Sequence, residues 1–98
     1  METIIIDNFL SDGILIEKKF RKNIDNINWK KYKNHNVLIK GCSKAIIPTW
    51  AYLIITAKLV NHANNIYYGD NRSAIKIYKK TDWLVGFFLA VKLALLLN

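Results

Sequence analysis

The stretch from Val37 to Asp70 constrains the chain most, because its local chemistry admits one order of elements. Val37 to Lys40 is apolar and β-branched at Val37 and Ile39, and Gly41 closes it, which reads as a strand ending in a loop. Pro48 stands where the first turn of a helix tolerates a missing N–H, and the apolar segment after it runs long enough for three turns. Ile66-Tyr67-Tyr68 then gives a second strand, and Gly69 to Arg72 a turn. Strand, helix and strand in that order predict one right-handed βαβ crossover.

The rest of the chain is arranged around that unit. Thr3 to Ile6 offers a short β-branched strand, and Asp12-Gly13 breaks the chain after it. Ile16, Phe20, Ile24 and Ile27 follow the spacing of one helical stripe, with Lys18, Lys19, Arg21 and Lys22 on the remaining surface, so an amphipathic helix begins at Glu17. In the helix after Pro48, Trp50, Ala51, Leu53, Ile54, Ile55, Ala57, Leu59 and Val60 cover most of the circumference. Such a helix is expected to be nearly enclosed, with Trp50 and Ile54 as anchors and Thr49, Tyr52 and Thr56 as a narrow wet stripe. Ser73 to Tyr78 alternates as an antiparallel strand does. The fold class expected is α/β, a small mixed sheet around one βαβ unit, flanked by an amphipathic N-terminal helix and an apolar C-terminal helix. The domain division expected is a single α/β domain over residues 1–80 and an apolar helix or tail over 81–98.

That tail, Trp83 to Leu97, is interrupted only by Gly86 and Lys92. As a helix it extends roughly 22 Å, short of the ~30 Å hydrocarbon core, so a membrane span is not expected. It is too apolar to stand free in water, and core packing, a protomer interface and membrane attachment are the three ways to cover it. Trp83, Phe87, Phe88, Leu95 and Leu96 are the candidate oligomer or membrane contacts.

The net charge of +8 invites a polyanion partner, but it comes from 13 Lys and 2 Arg beside 15 Ile and 11 Asn, the amino acids that an A+T-rich genome over-uses. The run Trp29-Lys30-Lys31-Tyr32-Lys33 interleaves rings and cations as single-strand binders do, yet the rings stand three apart, the spacing of core anchors. Nucleic acid is therefore not the expected partner. Cys42 is the only cysteine, which excludes an intrachain disulfide and a four-cysteine metal site; no metal or cofactor is expected. A reducing cytoplasm fits, and Met-Glu-Thr-Ile-Ile-Ile-Asp lacks the basic leader of a secretory signal.

Cys42 falls between a strand end and a helix start, where amide N–H groups stabilise a thiolate; the plainer reading is a small buried hydrophobe. His62 lies on the order of 20 Å away along the helix and His35 roughly 15–20 Å away across the strand, so a Cys–His dyad is excluded. If the two strands run parallel, Cys42, Ser43 and Thr49 share the carboxyl edge of the sheet with Asp70, where open α/β sheets bind ligands. These four are the candidate ligand-binding residues for an anion or polar small molecule, against the plainer reading that Ser43 and Asp70 close turns.

Gly41-Cys42-Ser43-Lys44-Ala45-Ile46-Ile47-Pro48-Thr49-Trp50-Ala51-Tyr52, with Glu17 to Arg21, Trp29 and Tyr32, resembles a bacterial family of uncharacterised proteins, the domain of unknown function numbered 2480. The resemblance covers about residues 9–70 and extends to Lys80. It implies no established activity. Members of the family carry two copies of the strand, Cys-loop and Pro-helix unit where this chain has one, and their genes tend to lie near those for iron–sulfur assembly. The function expected is a cytoplasmic, non-catalytic binding or assembly module that forms a homo-oligomer or binds a protein partner. The alternatives are a thiol-dependent accessory to iron–sulfur or redox chemistry through Cys42, and a basic protein attached to the inner face of the membrane through residues 83–97.

Overall fold

A computed structural model of the chain describes residues 1–41 and 45–80, together with Leu95. Its sheet has four strands in the order β1 (Glu2–Ile5), β2 (Asn36–Lys40), β3 (Asn65–Tyr68) and β4 (Ile75–Lys79). The helices α1 (Glu17–Asp25) and α2 (Thr49–Leu59) connect the first three strands, and 3-10 turns occupy Ile6–Phe9 and Trp29–Tyr32. The described residues thus form a mixed α/β fold of four strands and two helices.

β1 and β2 pair in parallel from Glu2 with Val37 to Ile5 with Lys40, and β2 and β3 pair in parallel from Asn36 with Asn65 to Ile39 with Tyr68. The sheet therefore contains two strand–helix–strand crossovers, one more than the sequence led us to expect, because the short apolar run at the amino terminus joins β2 as its second parallel neighbour. Val37 and Ile39 of this central strand are buried under the helices, and Leu38, which points to the other face of the pleat, is buried outside that core. β4 is antiparallel to β3, and the register slips between Ile66, opposite Tyr78, and Tyr67, opposite Lys76, leaving Ile77 as the extra residue of a bulge.

One core holds the two layers together. Ile4, Val37, Ile39 and Ile66 from the sheet meet Phe20 and Ile24 from α1 and Ala51, Ile55 and Leu59 from α2, so both helices lie on the same face. Phe20 is fully buried, with the rings of Phe9 and Trp50 set edge-on against it at 5.5 Å each. Trp29 and Tyr32 are buried, and the Trp29 indole N–H donates to the Ile24 carbonyl at 3.0 Å. Both rings are thus core anchors, as their spacing led us to expect.

Among the described residues α2 is covered on one side only, which corrects the expectation of a nearly enclosed helix. Only Ala51, Ile55 and Leu59 are buried, one every four residues; Leu53 is 63% exposed and Ala57 is exposed. Trp50 and Ile54, expected as anchors, are half-buried, and the stripe of Thr49, Tyr52 and Thr56 is no wetter than the apolar flank. The cause is the layer count. With one layer of helices over the sheet, the outer side of α2 has nothing above it among the described residues. The apolar carboxyl-terminal segment expected over residues 81–98 falls outside the described residues, Leu95 excepted.

Candidate functional site

The parallel strands β1, β2 and β3 end at one edge of the sheet, and a cleft of about 950 Å³ opens there. Lys40, Gly41, Tyr52, Tyr68, Asp70 and Arg72 line it, with Ile5 and Asp7 at the β1 side. Its volume is in the range of small-molecule sites, roughly 300–1,000 Å³.

Local chemistry fixes each of these side chains. A Cβ at Gly41 would collide with the Tyr52 hydroxyl, so glycine at the end of β2 is what lets the tyrosine of α2 lie over it. Tyr52 also meets Tyr68 of β3 edge to face, with ring centroids 4.9 Å apart and planes at 89°. Two phenols are thereby held together at the mouth of the cleft. Gly69 has φ +134°, a region closed to other residues, and a Cβ there would strike the Ser73 carbonyl. That conformation turns the chain sharply out of β3. The Asp70 carboxylate then accepts the backbone N–H groups of Arg72 at 2.8 Å and Ser73 at 2.9 Å. These two bonds hold the Asp70 carboxyl below its usual range, and the Lys40 ammonium adds a smaller push in the same direction.

Of the four ligand-binding residues expected from sequence, Asp70 lines the cleft, but as a turn-closing residue whose lone pairs face backbone amides. Thr49 is the first residue of α2, exposed, and does not line the cleft. Cys42 and Ser43 lie outside the described residues, as do the contacts expected at Trp83, Phe87, Phe88 and Leu96; Leu95 is exposed. Lys40, Tyr52, Tyr68 and Arg72 were missed. Tyr52 and Tyr68 meet only in three dimensions, whereas Arg72 was legible in principle, since an Asp followed two residues later by a cation in a turn brings that residue's amide back to the carboxylate.

His35 and His62 take part in backbone hydrogen bonds at the opposite, amino edge of the sheet, through Asn64 N–H to the His35 carbonyl at 2.9 Å and Asn34 N–H to the His62 carbonyl at 3.0 Å. The five residues of β2 separate that edge from the cleft by roughly 17 Å, and no imidazole lines the cleft. Among the described residues no group of three His, Cys, Asp or Glu side chains is placed to hold a metal ion, and no helix is long and apolar enough to cross a membrane.

What the geometry defines is a two-layer α/β domain with a polar, tyrosine-walled cleft at the carboxyl edge of its parallel strands. The chain belongs to the family described as Protein of unknown function (DUF2480), whose match spans residues 1–83 and so takes in β1 and β4 as well as the central unit. No curated protein and no solved structure matched the chain.

Proposed function

We propose that this protein is a cytoplasmic, non-catalytic binding module that takes a small anion in the carboxyl-edge cleft. The observation that carries the reading is the convergence there of two cations, Lys40 and Arg72, with two phenols, Tyr52 and Tyr68; of the two carboxylates in the same lining, Asp70 is engaged by the Arg72 and Ser73 amides and Asp7 stands at the β1 side. Cations of this kind bind carboxylate or phosphate oxygens through charge-assisted hydrogen bonds, and an adjacent aromatic wall suits a ligand with a flat apolar part. Around this site the amphipathic helix at residues 17–25 serves as core cover, and we infer an apolar helix at the carboxyl terminus.

Titration of the ¹⁵N-labelled chain with inorganic phosphate and with citrate tests the reading. Saturable shifts are expected at Gly41 and Gly69 to Ser73, and Arg72→Ala should weaken binding about tenfold, the loss of roughly 1.5 kcal/mol from one charged hydrogen bond. Shifts that stay linear and spread over Lys30 and Lys33 at the other edge would overturn it. The thiol reading keeps one supporting observation: Gly41, which lines the cleft, directly precedes Cys42 in the chain.

A further inference from the structure

We propose that the amino edge of the sheet carries a second anion site, opposite the carboxyl-edge cleft, and that it takes an oligophosphate. Lys30, Lys33, Asn61, His62 and Lys80 line a hollow of about 430 Å³ there. They come from three stretches far apart in the chain: the 3-10 turn Trp29–Tyr32 with the residue that ends it, the residues just after α2, and the residue after β4. Hydrogen bonds fix these stretches to one another. Asn34 N–H donates to the His62 carbonyl at 3.0 Å, Lys80 N–H to the Asn64 carbonyl at 2.6 Å, and the Asn64 side-chain amide to the Asn34 carbonyl at 3.2 Å. Trp29 and Tyr32, buried in the core, anchor the turn that carries Lys30 and Lys33. His62 and Lys80 are thus brought to these two lysines by the fold, not by adjacency in sequence.

Charge and donor chemistry single out the ligand. Three ammonium groups share one hollow whose lining contains no carboxylate, and the ion pairs of Arg21 with Glu17 and of Lys58 with Asp25 use none of its lysines. Like charges gathered in this way repel one another, and an anion carrying several charges relieves that repulsion. The carbonyls at the end of α2, whose partial negative charge opposes an anion, are engaged: Leu59 accepts from the His62 and Ala63 N–H groups, and Val60 from the Tyr78 hydroxyl. Lysines are point charges that hold phosphate oxygens without demanding the planar, paired geometry of a guanidinium. Both rings of the run from Trp29 to Lys33 are buried, which leaves no platform there on which a base could stack. The hollow therefore recognises phosphates and ignores what they are attached to.

Titration of the ¹⁵N-labelled full-length chain with inorganic tripolyphosphate at physiological salt tests the proposal. Saturable shifts are expected at Lys33, Asn34, His62 and Lys80, and they should survive Arg72→Ala, so that failure at either edge is read separately. Lys30→Gln combined with Lys33→Gln should weaken binding about tenfold, roughly threefold for each ammonium lost. Lys18→Gln combined with Lys19→Gln removes the same charge from the exposed side of α1 and should leave the affinity within about twofold. An equal loss from both pairs would overturn the proposal in favour of general attraction to a basic chain. A nucleoside triphosphate should bind about as tightly as tripolyphosphate, and the nucleoside alone should cause no shift; preference for the nucleotide by more than about tenfold would overturn recognition through phosphate alone. Shifts that never saturate overturn the site, and tighter binding of an oligothymidylate of equal charge overturns it in favour of a nucleic-acid surface.

Discussion

Replacing Phe20 with alanine should expose how far the two layers depend on one ring. Phe20 is fully buried between the sheet and both helices, with Phe9 and Trp50 edge-on against it at 5.5 Å. Removal of a buried phenylalanine costs about 3–5 kcal/mol, made up of lost transfer energy and the cavity left behind. The two ring contacts, each worth roughly 0.5–1.5 kcal/mol beyond area, put this site in the upper half of that range. A domain of this size has a total stability of about 5–15 kcal/mol, so the variant should fold but sit near its limit. With a urea dependence of about 1.5 kcal/mol per M, a loss of about 4 kcal/mol lowers the midpoint by roughly 2.5 M. Urea melts followed by far-ultraviolet circular dichroism measure this directly. Trp50→Ala should cost less, because Trp50 is half-buried, and the double variant should show a coupling of roughly 0.5–1.5 kcal/mol. A midpoint that moves by under 1 M for Phe20→Ala at unchanged slope would refute the assignment of this ring as the joint between α1 and α2.

Two further expectations concern the cleft. The Asp70 carboxyl is held low by the Arg72 and Ser73 amides and, secondarily, by Lys40, so the contribution it makes to the turn is present above the usual carboxylate range and is lost only as pH falls through its depressed folded value; the Arg72 and Ser73 amide shifts should titrate with a midpoint below that range, and a midpoint within it would contradict the hydrogen bonds. Cys42 discriminates the binding module from the thiol alternative: the non-catalytic reading expects labelling by a water-soluble maleimide at pH 7 no faster than a small-molecule thiol, and a markedly faster rate would favour redox chemistry.

The elements themselves were legible because each rests on short-range chemistry. Gly41 and Pro48 punctuate the chain, the Phe20–Ile24 stripe repeats at helical spacing, and Asp12, at φ 50°, and Gly13, at φ 76°, make the break that their residue types announce. What the sequence could not convey was how many layers would surround α2. A helix apolar over most of its circumference reads as enclosed, but the same composition occurs in a helix covered on one side only, and Leu53 and Ala57 carry no mark that tells the two apart.

The site follows the same division between local and distant causes. Asp70 was reached because parallel pairing of β2 and β3 puts the residues after β3 at the carboxyl edge of the sheet, and the competing reading, that it closes a turn, is what its bonds to the Arg72 and Ser73 amides display. Tyr52 was read as part of a wet stripe because its real partner, Gly41, lies eleven residues earlier and acts by lacking a side chain. An absent Cβ leaves no pattern for periodicity to detect. That absence shapes the cleft wall: a Cβ after the end of β2 would collide with the Tyr52 hydroxyl, so any other residue there requires the phenol, whose ring packs edge to face on Tyr68 beside Lys40 and Arg72, to shift.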